Sequence, residues 1–538
     1  MSKDKVVVAV ESAEILAFPA NASLAGDRGG GDPPKQPPSD PPNDPPAGGD
    51  DDGVDGIVSR LNAEYSLVLM GSRALIMREM PDAPIEDRTR VLSLDAFKAY
   101  FSNRGSNVIK RERQEDGSWV ERKRFVKWAP QWLNSRYRRT FDGLEFFPDP
   151  NNAAGTKGYF NLWRGFNCKP DASPPQERVK KYKTFRDHLF TNICNADKAI
   201  FDWVWAWCAH IVQRPRERIG TAIILRGKMG TGKTKFGEII GSLFESHYFL
   251  VDDPRYLIGQ FNAHMASCLL LQVDEGFWAG DKAAEGRLKG LITAPRQMIE
   301  AKGIDPIPIK NYVRLVFTSN EDWVVPAGLD ERRFCVLDIA PHAAQNHAYF
   351  AEMDQEIANG GREALLADLL SLELDAPGAP NLRVIPKTAA LLEQKLRSLD
   401  AVTAWWFERL TDGTTTRRGG EWRRQIPVDT MFDDYVNNAE KVGVRRKAEK
   451  ISLAMKLRKL VPGLETRKQS MTIDLSDGSM VQRRVSCFLF PKLGECRAAF
   501  SAAVGQSVEW NDPDDGESGA SSRENDDEDA LNDRQPDF

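Results

Sequence analysis

Residues 226–236 read RGKMGTGKTKF. The pattern Gly227-x-x-x-x-Gly232-Lys233-Thr234 lets backbone N–H groups converge on phosphate oxygens where a loop enters a helix. It nominates Gly227, Lys228, Met229, Gly230, Thr231, Gly232, Lys233 and Thr234 as nucleotide contacts. Lys233 is expected to reach the β- and γ-phosphates, and Thr234 to ligate Mg2+. Such a cradle binds a nucleotide without saying what the nucleotide is for.

Hydrolysis also needs a carboxylate for the metal and a group that orients or deprotonates water. SCLLLQVDEGFW (267–278) supplies both in its Asp274-Glu275 pair. Asp274 is expected to hold Mg2+ from its outer coordination sphere, and Glu275 to polarise the attacking water. The plain alternative is a strand that ends in surface acids. A third piece is YVRLVFTSNEDW (312–323). The Asn320 amide has both a donor and an acceptor, so it can bond the γ-phosphate and the lytic water together. PAGLDERRFCVLDI (326–339) then sets Arg332 and Arg333 just before another apolar run. An arginine supplied across a subunit boundary stabilises charge on a transferring phosphoryl group; a surface ion pair is the alternative for either one.

These groups need rigid supports. TAIILRG (221–227) is a short β-branched run ending in glycine, the signature of a buried strand entering a loop, and FGEIIGSLF continues at helical spacing. The run 268–273 and the run before Ser319 read as two more buried strands. Each ends in polar residues, and in an open α/β sheet the carboxyl edge is where ligands bind. The fold class expected is therefore α/β, with a parallel sheet carrying the phosphate loop.

The motifs GKMGTGKT, LLLQVDE, TSN and ERRF fall within about 110 residues. Together they resemble superfamily 3 helicases, and more closely the primase-helicases of phages, prophages and large DNA viruses. The resemblance implies an AAA+-like ATPase that uses ATP and Mg2+ and assembles as a homo-hexameric ring on DNA. It implies a γ-phosphate sensor at Asn320 and an arginine finger at Arg332 or Arg333. It also implies a hairpin between the second and third motifs with a DNA-contacting lysine. QMIEAKGIDPIPIKNY (297–312) occupies that place and offers Lys302 and Lys310. Farther along, residues 426–463 and the strand-like runs around Ser476-Asp477-Gly478 look like the winged-helix end of such proteins. Arg445, Arg446, Lys447, Lys456, Arg458 and Lys459 suit phosphate contacts there, or form a solvated basic face.

The rest of the chain bounds this reading. The 538 residues allow two to four domains, and the net charge of −5 is unevenly placed, with acidic runs at both ends. Residues 27–53 are Pro, Gly and Asp without a large apolar residue, which predicts disorder. The expected organisation is a disordered 1–53, a small α+β domain over 54–170, a linker at 170–178 and a helical layer over 180–218. The ATPase core over 219–345 follows, then a helical connector over 346–400, a winged-helix-like basic domain over 401–500 and an acidic disordered tail over 505–538. Within the small domain, 65–79 reads as a hairpin about Gly71-Ser72, and 92–103 as a helix after a serine cap. The aromatic and basic stretch 128–148 reads as a small aromatic core with solvated arginines, in preference to a nucleic-acid contact by stacking and phosphate pairing, and Trp203, Trp205 and Trp207 read as core of the helical layer.

Seven scattered cysteines without a C-x-x-C pair argue against a zinc ribbon and for a reducing compartment. Neither a secretion signal nor a membrane span is read, so a cytoplasmic protein is expected. No strand with an Asp-x-Asp pair precedes residue 220, so a primase domain is not expected, and a separate primase or polymerase would have to supply primers. The function expected is an ATP-dependent DNA helicase in replication of a phage or mobile element. The alternative is an AAA+-type ATPase acting on another polymer, by protein remodelling or DNA packaging.

Overall fold

A computed structural model of the chain describes residues 54–253, 256, 262–274, 282–301, 304–474 and 480–510. It divides into two compact units between Arg397 and Ser398. The disorder expected before residue 54, the turn at 476–478 and the tail from Asn511 lie outside the described residues.

The first unit opens with α1 (Val54–Glu64) and a hairpin of β1 (Tyr65–Met70) and β2 (Arg73–Glu79), turning at Gly71 with φ 57°. Next come β3 (Thr89–Leu92) and α2 (Leu94–Tyr100), whose cap Ser93 accepts from the Ala96 N–H. A two-stranded ribbon, β4 (Gly105–Arg113) and β5 (Trp119–Lys127), leads to α3 (Trp128–Asn134) and β6 (Thr140–Phe141). The sheet order is β3-β2-β1-β6. The short strands β7 (Gly143–Glu145) and β8 (Tyr159–Asn161) pair in parallel. Phe97, Phe101 and Trp132 are buried around Tyr65, and Phe146 is buried in the main core, so the aromatic stretch 128–148 packs as a core. Tyr137 of that stretch stays exposed.

The segment 170–178 is not a free linker. Pro174 and Pro175 preset φ for the start of α4 (Pro175–Arg178). Arg178 ion-pairs with Asp368 at 2.6 Å, and the Asp171 N–H donates to the Glu363 carbonyl at 3.0 Å. Its composition looked like a spacer; its two ends tie it down. The helical layer follows as α5 (Lys183–His188) and α6 (Lys198–Gln213), the latter capped by Asp197. Trp203 and Trp207 are buried, and Trp205 stacks on Phe201.

The central sheet is built from β9 (Ala222–Arg226), β10 (Tyr248–Val251), β11 (Leu270–Asp274), β14 (Arg314–Ser319) and β15 (Phe334–Asp338). Helix α7 (Lys233–Gly241) follows β9. Helix α8 (Lys282–Thr293) and the antiparallel pair β12 (Arg296–Ala301) and β13 (Ile304–Lys310) separate β11 from β14. The order is β10-β11-β14-β9-β15, with every neighbouring pair parallel. All five carboxyl ends therefore lie on one edge. β9, β11, β14 and β15 are buried on both faces, which is why they read as near-continuous apolar runs, whereas the edge strand β10 is half-buried. Helices α9 (His347–Glu356), α10 (Arg362–Ser371) and α11 (Ala389–Arg397) complete the unit.

The second unit runs α12 (Ala401–Thr411), β16 (Gln425–Pro427), α13 (Val428–Lys441), α14 (Lys450–Leu460), β17 (Glu465–Asp474), β18 (Met480–Leu489) and α15 (Leu493–Val504). Its sheet order is β16-β18-β17. Trp405, Trp406, Tyr435 and Phe490 fill its core. Residues 505–510, expected as the start of the acidic tail, are packed instead: the Trp510 ring lies 5.8 Å from that of Phe407 and 6.1 Å from that of Phe500. The half-buried indole and the buried Val508 hold that stretch against the domain despite the acids that follow.

Candidate functional site

β9 delivers the chain to the carboxyl edge at Arg226, and α7 carries it away from Lys233. The loop between them needs glycine at Gly232, where φ is +84°. A β-carbon there would also sit 2.6 Å from Phe350 and 2.8 Å from the His188 ring. Only a residue without a side chain lets the loop lie this close to the helical layer.

Lys233 is buried, and its ammonium donates to the carbonyls of Gly227 and Lys228, both at 2.8 Å, and to Asn320 Oδ1 at 2.6 Å. Asn320 follows β14, the strand between β9 and β11. Thr234 Oγ1 donates to Asp274 Oδ2 at 3.2 Å. Asp274 Oδ1 accepts from the Thr318 hydroxyl, the residue opposite it in the β11–β14 register. The fold thus brings Lys233, Thr234, Asp274 and Asn320 to one edge of the sheet. Met229 is exposed at the tip of the loop, and Thr231 Oγ1 donates to the Lys228 carbonyl at 2.9 Å. Glu275 lies outside the described residues.

This donor set fits a Mg2+–triphosphate. A buried ammonium held by neutral oxygens, a hydroxyl facing a carboxylate and a glycine loop entering a helix are the complement of phosphate oxygens and a hard cation.

Several supports were not read from sequence. Gln272 is fully buried in β11 and spans two elements: its Nε2 donates to the Thr234 carbonyl at 3.2 Å, and its Oε1 accepts from the Tyr248 hydroxyl at 2.7 Å. A β-carbon at Gly237 would collide with it at 1.8 Å, so α7 lies directly on this amide. The one signal was a polar residue inside the apolar run LLLQVD. Arg226 ion-pairs with Asp338 at 2.7 Å and donates to the Asp322 carbonyl at 2.8 Å, joining β9, β15 and the loop after Asn320. The bond to Asp338 raises the pKa of Arg226 further above its ordinary range. His188 is fully buried beneath Gly232, with Asn192 on its Nδ1 at 2.9 Å; burial lowers its pKa to about 4, so it is neutral.

Arg332 and Arg333 are not at this edge. Phe334 pairs with Ala222 at the start of the strands, and Asp338 with Arg226 at their end. Four residue steps separate the two ends, roughly 13 Å at ~3.3 Å per residue. Arg333 is half-buried, and its guanidinium lies 3.4 Å from Glu331, which is almost fully enclosed. Glu331 also accepts from the N–H groups of Arg332 and Arg333. Arg332 is exposed, and its guanidinium has no hydrogen-bond or ion-pair partner among the described residues.

In the β12–β13 hairpin Arg296 pairs with Lys310 and Ala301 with Ile304. Lys310 is thus exposed at the base of the hairpin, away from its turn. Lys302 follows Ala301 and lies outside the described residues.

In the second unit the six basic candidates divide. Lys447 pairs with Glu440, Lys456 pairs with Asp400, and Arg458 donates to Thr466. Arg445, Arg446 and Lys459 are exposed. Leu453, Leu457 and Leu460 bury one side of α14, so the other faces solvent with Ile451 and Met455 exposed beside Arg483 and Arg484 of β18. Among the described residues, no helix is long and apolar enough to cross a membrane, and no three or more His, Cys, Asp or Glu side chains cluster as a metal site of their own.

Residues 225–333 match DUF5906, a family of unknown function. Over 259 residues the chain is 27% identical to the DNA primase-polymerase of Nitratiruptor phage NrS-1. That match covers 46% of this chain and 35% of the phage protein, so the chain spans about a third of that relative's length. The fold is similar to the apo structure of the NrS-1 C-terminal region (305–718), with TM-score 0.54 and 17% identity over 81% of this chain and 98% of that one. Two A-form apo structures of the same region match with TM-scores of 0.52 and 0.53, at 17% and 16% identity, over 81% and 82% of this chain and 99% and 100% of theirs. The chain is therefore an α/β protein with a five-stranded parallel sheet, homologous to the NrS-1 primase-polymerase and similar in fold to its C-terminal region.

Proposed function

We propose that this chain is an ATP-dependent DNA helicase of the superfamily 3 type, working in phage or mobile-element replication as a ring with ATP at subunit interfaces. The observation that carries the reading is the division of the site across the sheet. Lys233, Asp274 and Asn320 meet at the carboxyl edge, while the exposed Arg332 stands at the amino edge. Arg332 cannot reach its own chain's phosphate loop across that width. A neighbouring subunit's loop is the natural target, and this supports a shared site in a ring. The strand order with the sensor strand between the phosphate-loop and acidic-pair strands is that of AAA+-like ATPases, which supports the same class.

Bound Mg2+–ATP would supply the phosphoryl group and the charge that binds the metal. The protein's part is to hold and orient. Lys233 would neutralise phosphate charge, Thr234 and Asp274 would hold the cation, and Asn320, now bonded to Lys233, would be the group that meets the γ-phosphate. Glu275 orients water, and a partner's Arg332 stabilises the transferring group. The order α12-β16-α13-α14-β17-β18 is that of a winged helix, with α14 in the recognition position, which supports DNA as the polymer. The relative's printed role in DNA priming and polymerisation supports a place in replication. The test is ATP turnover with and without single-stranded DNA: stimulation is expected, and turnover indifferent to DNA would favour an ATPase acting on another polymer.

A further inference from the structure

The ribbon of β4 and β5 has two unlike faces. One face is anchored: Ser106 accepts from Trp128 Nε1 at 2.8 Å, and Val108 packs against the small core of Phe97 and Trp132. In an antiparallel pair, directly opposed residues share a face. The pairs Asn107–Phe125, Ile109–Lys123 and Arg113–Trp119 therefore lie together on the other face. There the usual burial preference is reversed. Trp119 is 64% exposed, Phe125 57% and Ile109 47%. Lys123, Lys127 and Arg113 are exposed among them, with Glu121 as the acid on that face.

Phe125 does not simply project into water. A β-carbon at Gly105 would meet the tip of its ring at 2.3 Å, so the ring lies down across the ribbon over that glycine. A side chain at 105 would lift it. The ring is thus held along the ribbon while staying more than half exposed, and Trp119 offers a second exposed ring about 20 Å along the strand at ~3.3 Å per residue. The turn at the far end is held by the Gln114 N–H to Ser118 carbonyl bond at 2.8 Å and by Asp116, which accepts from the Ser118 N–H.

We propose that this outer face is a binding platform for single-stranded nucleic acid, with bases stacking on Phe125 and Trp119 and phosphates meeting Lys123, Lys127 and Arg113. Rings alternating with cations on one face match a polymer that alternates π-faces with negative charge, and stacking requires bases free of a duplex. An apolar protein partner would not explain the cations, and a duplex would not use the rings. The site stands apart from the nucleotide site: oligonucleotide affinity without ATP tests the one, and ATP turnover without DNA tests the other.

The experiment is fluorescence anisotropy of a labelled 20-mer of oligo(dT) with the full chain. Trp119→Ala/Phe125→Ala is expected to weaken binding roughly 25-fold or more, since each stacked ring accounts for ~5- to 150-fold. Trp119→Phe/Phe125→Tyr should bind within a few-fold of the parent. Lys123→Ala/Lys127→Ala should lower the salt slope by ~0.7 for each phosphate no longer neutralised. DNA-free ATP turnover should not change in any of them. Should the double alanine variant not fold, Trp119→Ala alone carries the test, because this exposed ring contributes little packing. Unchanged affinity in a folded alanine variant overturns the proposal. So does an equal loss of binding to a 20-base-pair duplex. Loss of self-association in sedimentation, with affinity per protomer unchanged, would assign the face to a second copy and overturn it as well.

Discussion

Lys233 Nζ and Asn320 Oδ1 lie 2.6 Å apart, although 87 residues separate them in the chain. The contact exists because β14 is laid between β9 and β11, so the loop after it ends beside the phosphate loop. A cation and an amide joined in this way form a latch that phosphate oxygens can open. Lys233→Ala removes the charge that faces the phosphates, and ATP hydrolysis should fall by roughly 10²–10³-fold or more, the usual effect of deleting one preorganised donor. Asn320→Ala should retain nucleotide binding and lose turnover. Steady-state phosphate release and nucleotide titration together check both.

Glu275→Gln should bind ATP and turn it over about 10²–10⁴-fold more slowly, since a neutral amide polarises water poorly. If binding were lost along with turnover, Glu275 would belong with the metal ligands.

Arg332 and Arg333 should behave differently. Arg332→Ala should fold normally and lose roughly 10³–10⁵-fold in turnover, the range of an arginine finger. Arg333→Ala withdraws a side-chain partner of the enclosed Glu331 and should cost about 1–3 kcal/mol of stability, read as a lower Tm. Mixing Arg332→Ala with Lys233→Ala protein should restore some activity, because a mixed ring contains interfaces with both residues intact. No rescue in rings shown to be mixed would contradict a shared site.

Much of the central sheet was legible because burial on both faces leaves a strand as an apolar run, and AIILR, LLQVD and RLVFTS each end where polar residues begin. The site's supports were not. Gln272, Thr318 and His188 act across elements that only the strand order brings together, and no local spacing encodes that order. The β4–β5 ribbon escaped for a different reason. Its rings sit among charges on a solvated face, so neither a helical nor a core-facing period marks it. The segment 170–178 looked like a spacer because Pro and Ser dominate it, whereas Arg178 and Asp171 fix it to residues almost 200 positions away.

Stability should fall in mild acid. Burial lowers His188 to about 4 and His247 to about 3; burial, with the Arg314 charge beside it, lowers His210 to about 3. His247 is locked neutral: its Nε2 accepts from the Arg164 N–H and its Nδ1 donates to the Ser267 carbonyl, both at 2.9 Å. The unfolded chain takes up these protons below pH 6.5, while the folded chain does not until near pH 4 or below. The stabilisation is therefore complete above pH 6.5 and is lost as pH falls, by about 1.4 kcal/mol per unit for each histidine. Urea midpoints at pH 7.5 and 5.0 should differ in that direction, and His247→Phe should flatten the dependence.

The hairpin lysines should be unequal. Lys310 sits at the base of β13 opposite Arg296, so Lys302→Ala should reduce DNA-stimulated turnover more than Lys310→Ala. Basal turnover should survive in both, because neither belongs to the phosphate loop. Equal and negligible effects in DNA-stimulated assays would move the grip to the basic second unit.

The most direct measurement is strand displacement on a forked DNA duplex, with and without ATP, for the parent chain and Lys233→Ala. The account predicts displaced strand that accumulates only with ATP and only with Lys233 present. Robust ATP turnover without any displacement, on forks of either polarity and by protein shown to be assembled, would contradict it.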